Sequence, residues 1–358
     1  MAKRKLDPEK TEAFTGKMVG VLNGALLALM TSIGRQTGLF ETMAALPPST
    51  SEAIAAAAGL HERYVREWLG AMVTGGIVAY DAARHTYLLP PEHAAVLTNA
   101  AGGRNIARFM QYIPMLAEVE ADVIRSFRQG GGVPYARYPR FQALMAESSG
   151  LRFDHLLLQK VVPLTGLAAE LDRGLDVLDI GCGQGHAVNL LARAFPQSRF
   201  AGYDFAETGV AAARAEAEAL SLANARFEAR DVAALGERDA YDLITAFDVI
   251  HDQARPHDVL REVARALRTD GTFLMVDVRA SSDLEGNLQH PLGPFLYGMS
   301  TMHCMTVSLA LDGAGLGTVW GEEKALAMLN EAGFPSVEVH RLGPDDPLNN
   351  YYLARKTG

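Results

Sequence analysis

The residues best suited to chemistry lie in the carboxyl-terminal half of the chain. Asp179-Ile180-Gly181-Cys182-Gly183-Gln184-Gly185 follows a short β-rich run and precedes a helical pattern. Glycines at alternate positions let the backbone pass close to a ligand at the carboxyl edge of an open α/β sheet. The spacing is G-x-G-x-G, which departs from the dinucleotide fingerprint G-x-G-x-x-G. Further acids end the next three β-rich runs: Asp204 followed by Phe205, Asp231 followed by Val232, and Asp248 preceded by Phe247. An acid at Asp204 can take both hydroxyls of a ribose, and Asp231 with the Val232 backbone can meet an adenine edge. Each acid alone is an ordinary strand-end turn residue. Four in this order make a nucleoside-binding pattern.

A candidate base follows the fourth of these runs, in Val249-Ile250-His251-Asp252. Deprotonating a phenol of pKa near 10 costs about 4 kcal/mol at pH 7, a thiol near 8.5 about 2, and a carboxylic acid nothing. A histidine base therefore favours a phenol or thiol substrate. The plainer reading is that Asp252 caps the next helix and His251 is a packed neighbour. Residues 283–318 carry Tyr297, Met299, Met302, His303, Cys304 and Met305 between a strand and a helix, and long insertions at this edge tend to form substrate pockets. Tyr297 and Met302 are expected to line such a pocket, with His303 a second candidate base, although core packing explains them equally well. His303-Cys304 lacks the rest of a metal site, so no metal is expected. Tyr135 and Tyr138 are placed over the site or, alternatively, in a core aromatic stack.

These residues need a scaffold, and the pattern supplies one. After Gly174 the β-rich runs 176–180, 199–203, 226–228, 242–247, 272–278, 337–341 and 351–354 alternate with helical stretches at 186–195, 207–220, 256–267 and 321–332. Repeated β then α means a mostly parallel sheet covered on both faces, here ending in an antiparallel hairpin. Upstream, residues 49–89 read as helix, turn, helix and hairpin, the layout of a winged helix, with Ser51 as cap and Gly59 as stop. Residues 104–127 repeat apolar side chains every three or four positions and predict one long helix kinked at Pro114. Shorter helices are predicted at 139–147 and 153–171. The division is thus 1–100 winged-helix-like, 101–172 helical connector and lid, and 173–358 Rossmann-like.

Composition bounds the possibilities. The 358 residues hold 49% hydrophobic and 21% charged residues, as in an ordinary globular protein. The net charge of −9 is a poor start for binding nucleic acid. Within residues 61–90 Arg63, Arg66 and Arg84 are balanced by Glu62, Glu67 and Asp81, so the winged-helix-like module lacks the basic face of a DNA reader. Cys182 and Cys304 form no disulfide framework, and a cytoplasmic location is expected. Residues 18–34 are uncharged. Asp7, Glu9, Lys10, Glu12 and Lys17 separate them from Lys3, Arg4 and Lys5, and Gly20, Asn23, Gly24, Thr31 and Ser32 dilute them, so a buried or dimer-forming helix is expected and no membrane span.

The glycine loop and the ordered acids resemble the motifs of class I S-adenosylmethionine-dependent methyltransferases over residues 170–358. The whole chain is similar to a bacterial small-molecule subfamily with a winged-helix-like amino-terminal domain, on segments such as GGGVPYARYPRF and DVIHDQARP. The resemblance implies a seven-stranded Rossmann-like sheet with a reversed last strand. It implies that Asp179, Gly181, Gly183 and Gly185 line the methionine part of S-adenosylmethionine, Asp204 the ribose, and Asp231 with Val232 the adenine. Phe205 and Phe247 would flank the adenosine, with Asp248 beside them. His251 is similar in placement to the catalytic histidine of plant-type O-methyltransferases, but Gln253 stands where those carry tryptophan. The expectation is a homodimeric enzyme moving a methyl group to an oxygen, sulfur or nitrogen of a small molecule, leaving S-adenosylhomocysteine. The competing expectations are a transcriptional regulator that senses the cofactor and a nucleotide-dependent oxidoreductase.

Overall fold

The computed structural model describes residues 6–356, apart from the side chains of residues 103 and 104. Contacts divide it into two compact units, 1–115 and 116–358.

The first unit opens with α1 (Pro8–Gln36), capped by the Asp7 carboxylate on the Glu9 amide. Helices α2 (Leu39–Ala45), α3 (Ser51–Ala58) and α4 (Glu62–Thr74) follow, then a hairpin of β1 (Ala79–Asp81) and β2 (Thr86–Leu88), and α5 (Pro91–Leu97). This is the expected winged-helix layout. Gly59 ends α3 at φ +66°. The cap of α3 is Thr50, whose hydroxyl accepts from the Ala53 amide, while the Ser51 hydroxyl instead donates to Glu62. Leu39, Phe40, Ile54, Val65, Trp68, Leu69 and Met72 form the core. Gly34 lets α1 approach Trp68 and Phe40, where a methyl group would stand 2.5 Å from the tryptophan ring. The amino-terminal half of α1 is different, since Phe14, Met18, Val21, Leu22 and Leu26 are exposed. By length and composition alone α1 could cross a membrane. On α4, Arg63 pairs with Glu67 and Arg66 with Glu62, so the carboxylates of the same helix answer its basic groups. Lys3, Arg4 and Lys5 lie outside the described residues.

The single helix predicted over 104–127 is not found. Two 3₁₀ segments, Asn99–Arg104 and Ile106–Gln111, precede α6 (Tyr112–Ala117), and α7 (Glu120–Gln129) begins after a further break. The buried Asn105 side chain takes the Ala107 amide and donates to the Thr98 carbonyl, which fixes a corner where the apolar period ran on. Pro114 sits in the first turn of α6, where its missing N–H costs nothing, and bends no helix.

The second unit also departs from prediction before the sheet. Where two short helices were expected, α8 (Phe141–Leu156) runs through a π-helical turn, Leu157–Val161, into α9 (Val162–Thr165), and α10 (Ala168–Arg173) follows. The sheet then comprises β3 (Asp176–Ile180), β4 (Arg199–Asp204), β5 (Ala225–Ala229), β6 (Tyr241–Phe247), β7 (Leu267–Val278), β8 (Ser336–His340) and β9 (Asn349–Arg355). Its order is β5-β4-β3-β6-β7-β9-β8, with β9 antiparallel to both neighbours and the other pairs parallel. Helices α11 (His186–Ala194), α12 (Glu207–Ala219), α13 (Pro256–Ala266) and α17 (Gly321–Glu331) cover it. The long insertion after β7 is itself helical: α14 (Leu284–Asn287), α15 (Gly293–Met299), a π-helical turn Ser300–Cys304, and α16 (Met305–Leu309). One apolar core lies on each face of the sheet. The order in which strands are added reverses between β3 and β6, and open α/β sheets bind ligands at the carboxyl edge of such a switch point.

Candidate active site

Three of the four acids lie where strands enter that edge. Asp179, 3% exposed, accepts the Thr245 hydroxyl at 2.6 Å from the neighbouring strand. Burial pushes its carboxyl up to about 7, against the Thr245 hydrogen bond and with help from the nearby Asp204 charge. Asp204 reaches back to the glycine loop, accepting the Gly183 amide at 2.9 Å, and its other oxygen takes the Ala206 amide at 2.9 Å. Burial raises its carboxyl too, opposed by those two N–H groups. Asp248 has φ +59°, an uncommon backbone for a non-glycine residue, and pairs with Arg152 of α8 at 2.7 Å. Asp231 is more exposed. It caps the turn at Ala233 and meets Arg255 at 2.7 Å, while the adjoining Val232 is buried.

The loop glycines do different work. A methyl group on Gly181 would strike Val249, and one on Gly185 would lie 2.5 Å from Ala213, so both are required by packing at positive φ. Gly183 at φ +55° has no atom within 4 Å of where its Cβ would stand, so the space over the loop is free for a ligand to approach the backbone. Phe205 is 59% exposed and meets Tyr135 edge-on, whereas Phe247 packs against Phe153. Beside the loop a cleft of about 510 Å³ runs between α8 and α12, bordered by Glu147, Asp154, Gln184, His186 and Glu216. His186 bridges it, with Nε2 2.9 Å from Asp154 and Nδ1 2.6 Å from Glu216. Burial opposes the imidazolium there, but the two carboxylates outweigh it and raise the pKa.

His251 lies in a 3₁₀ turn after β6 and is buried. Its Nδ1 is 2.8 Å from Asp277 Oδ1, on the adjacent strand β7. Burial alone would lower its pKa, but the Asp277 carboxylate holds it well above the ordinary value. Asp252, the sequence neighbour, makes no cap for α13, and burial lifts its carboxyl to about 7. Asp277 carried a signal that sequence reading missed: a lone acid inside the apolar run Phe273-Leu274-Met275-Val276. Arg152 and His186 gave none.

The insertion and the 135–138 turn come together. His303 is fully buried, stacked on Phe141 at 3.5 Å between centroids and edged by Tyr138 and Tyr135, and neither ring nitrogen has a hydrogen-bond partner. Burial, with the nearby His251 charge, pushes it down to about 3, so this imidazole stays neutral. Tyr138 donates to the Met302 carbonyl at 2.5 Å, and Tyr297 accepts from Asn287 at 3.2 Å. Among the described residues no group of His, Cys, Asp or Glu side chains could hold a metal.

Comparison with known proteins agrees with this architecture. Residues 171–333 match the family model of a methyltransferase domain, and residues 25–99 match that of the Rv2258c-like winged HTH domain. The carboxyl-terminal part of the chain is a class I S-adenosylmethionine-dependent methyltransferase domain, joined to a winged-helix domain. The malonyl-[acyl-carrier protein] O-methyltransferase of Bacillus cereus is 28% identical over 145 residues, which is 40% of this chain and 48% of that protein. The chain thus spans about half of that curated relative. In fold it is similar to the mitomycin 7-O-methyltransferase MmcR, with TM-score 0.68 and 19% identity over 98% of this chain and 100% of that one. It is likewise similar to human N-acetylserotonin methyltransferase in complex with SAM, with TM-score 0.64 and 16% identity over the full length of both.

Proposed function

We propose that this protein is an S-adenosylmethionine-dependent O-methyltransferase for a small acceptor with an acidic hydroxyl, with His251 as the proton acceptor. The observation that carries the reading is the His251–Asp277 pair at the same sheet edge as the glycine loop and its acids. When bound, S-adenosylmethionine supplies a methyl group on a positively charged sulfur and departs as S-adenosylhomocysteine. Gly183 leaves the approach over the loop open, Asp204 and Asp231 are suited to the ribose and adenine, and Asp179 to the amino group, while Gly181, Gly185, Val232, Phe205, Phe247 and Asp248 frame them.

His251 then has two tasks. Asp277 fixes the Nδ1 hydrogen and so presents Nε2 to the acceptor hydroxyl. Because its pKa is raised, His251 is a stronger base but is largely protonated at neutral pH, so transfer to a phenol rises with pH until the ring is neutral. Alignment of acceptor and methyl group in a water-poor pocket supplies the rest of the acceleration. His303, neutral and enclosed by Tyr135 and Tyr138, fits the wall of the acceptor pocket with Met302 and Tyr297, and does not fit the role of second base. The exposed apolar half of α1 fits a homodimer contact, and a cytoplasmic enzyme agrees with the two free thiols.

The test is transfer of labelled methyl to phenols, thiols, amines and carboxylic acids by wild type and His251→Ala. Transfer to a phenol that falls by about 10²–10⁴ in the variant supports the reading. Equal phenol rates in both proteins remove the base, and cofactor-product binding without transfer to any class moves the protein toward a sensing role.

A further inference from the structure

Methyl transfer as described gives no task to Arg152, yet this cation is set into the domain on α8 with its side chain only 14% exposed. A charge withdrawn from water to that extent needs a partner. The partner is Asp248, whose carboxylate, 12% exposed, accepts from the guanidinium at 2.7 Å. The other carboxylate in the neighbourhood, Asp346, is occupied by the Tyr351 hydroxyl at 2.7 Å and the Asn349 amide group. Arg152 also stands over the Phe153 ring at 5.3 Å, and Phe153 meets Phe247 edge-on at 4.9 Å. One stretch of α8 thus grips two consecutive residues, Phe247 and Asp248, where β6 ends.

Asp248 is where the backbone changes course. β6 stops at Phe247, and the 3₁₀ turn Ile250–Asp252 carries His251. Between them Asp248 takes φ +59°, a left-handed conformation that a residue with a Cβ keeps only when its surroundings fix it. Its amide donates to the Val276 carbonyl at 2.8 Å, and the next residue of β7, Asp277, holds His251 Nδ1 at 2.8 Å. The anchors of Asp248 and His251 are therefore neighbours on one strand. Beyond the ring the turn is tied to the insertion: the Gly317 amide donates to the His251 carbonyl at 2.9 Å, and Ser308 Oγ to the Gln253 carbonyl at 2.8 Å. At the near end, the bent residue is pinned by its side chain to Arg152.

We propose that Arg152 is a positioning residue for methyl transfer: from α8 it clamps Asp248 in its left-handed conformation and so fixes the turn that aims His251 at the acceptor hydroxyl. The inference rests on His251 as the base, and Arg152 acts on the reaction only through Asp248. Without the guanidinium, the Asp248 carboxylate is left unpaired in a place with little water. It turns outward, its backbone relaxes, and the residues that follow shift with it. A displacement of about 1 Å in a group that must be aligned costs up to about a hundredfold in rate. Phe141, at the start of the same helix, stacks on His303 at 3.5 Å between centroids. The helix that reaches the acceptor wall is thus the one that holds the base in line.

The experiment compares wild type, Arg152→Met, and Arg152→Met combined with Asp248→Gly. Glycine takes a left-handed backbone without strain and leaves no carboxylate unpaired, so the double variant dispenses with the clamp. Rates are measured with a phenol at saturating S-adenosylmethionine, well below the melting temperature of each protein. In Arg152→Met kcat should fall about tenfold or more, with KM for the phenol and affinity for S-adenosylhomocysteine each within about threefold of wild type. The double variant should recover to within about threefold of the wild-type kcat. In the full chain carrying isotope-labelled histidine, the ring signal assigned through His251→Ala should move in Arg152→Met and return in the double variant. An unchanged kcat in Arg152→Met overturns the proposal. A loss that the glycine does not recover, with the His251 signal displaced in both proteins, makes Arg152 a general support of the fold and overturns the clamp. Loss of S-adenosylhomocysteine affinity with an unmoved His251 signal makes it a cofactor contact, and overturns the clamp too. If His251→Ala transfers methyl as fast as wild type, it is the base assignment that fails, and the ring signal decides the clamp by itself. Where the methionine variant does not fold, Arg152→Lys, which keeps the cation but not the rigid fork, takes its place: kcat and the His251 signal shift together, or the clamp is refuted.

Discussion

Replacing Asp179 with asparagine should remove most of the pH dependence of S-adenosylhomocysteine binding. In the free protein burial lifts this carboxyl to about 7, whereas an ammonium group brought beside it favours the ionised form and pulls the pKa down. Binding must then release a proton wherever the free protein holds one and the complex does not. The sign follows: affinity is full above pH 7 and weakens as pH falls below it. With a bound-state value of about 4, the apparent dissociation constant rises about tenfold from pH 8 to pH 6 and about a hundredfold by pH 5, at about 1.4 kcal/mol per tenfold. Titration calorimetry at pH 6 in buffers of different ionisation enthalpy should show close to one proton released. The asparagine can still accept the Thr245 hydroxyl, so the strand pairing is retained. Its binding should be weaker at pH 8 and nearly level from pH 5 to 8, apart from any slope due to Asp204, which Asp204→Asn identifies. A wild-type affinity that is level between pH 5 and 7, or a slope preserved in Asp179→Asn, would refute the assignment of this acid to the amino group.

Other outcomes follow from the same geometry. Gly183→Ala should abolish cofactor-product binding and lower the melting temperature only by the few degrees that about 1 kcal/mol of left-handed backbone strain at φ +55° costs, whereas Gly185→Ala adds to the same strain a methyl that would overlap Ala213 and should destabilise the fold further; calorimetric scans and binding titrations separate the two. Asp248→Ala strips the partner from Arg152, whose side chain is 14% exposed, and should cost about 3 kcal/mol, read as a melting shift of roughly 6–12 °C, with Arg152→Met in the same background recovering part of it. Asp277→Asn should slow methyl transfer to a phenol more than to a carboxylic acid, because it disturbs the tautomer of a base only the phenol needs; equal losses would count against His251 as base. The winged-helix domain should give no mobility shift with duplex DNA at 150 mM salt, since Arg63 and Arg66 are answered on their own helix, and a shift abolished by Arg63→Ala would overturn this.

The sheet was the most legible part of the sequence. The β3 range was read as it stands, and β4, β5 and β6 were each extended by only a residue or two, because short β-rich runs with acids at their carboxyl ends leave a strong local pattern. The misread helix over 104–127 shows the limit of periodicity. A repeat of apolar residues reports which side is buried, whereas Asn105 decides where the backbone hydrogen bonds stop. The site divides in the same way. Its glycines and strand-end acids sit within a few residues of each other or at regular intervals, so spacing exposed them. His251 and Asp277 meet across two strands, 26 positions apart, and Arg152 reaches Asp248 over 96. Such pairs leave no periodic trace, and only the oddity of a lone acid in an apolar strand pointed to Asp277.

The strand order carries a consequence for how such a protein can diversify. The residues suited to the nucleoside stand on β3, β4 and β5, while His251 and Asp277 come from β6 and β7, on the other side of the seam where the strand order reverses. The helical insertion bearing His303 and Cys304 also leaves from β7. A lineage could therefore accumulate changes in one half of the sheet and its insertion, trying new acceptors, while the other half stays under a constant requirement. Duplicated genes would drift apart mainly after residue 248, with the glycine loop as the slow-changing anchor by which distant descendants are still recognised.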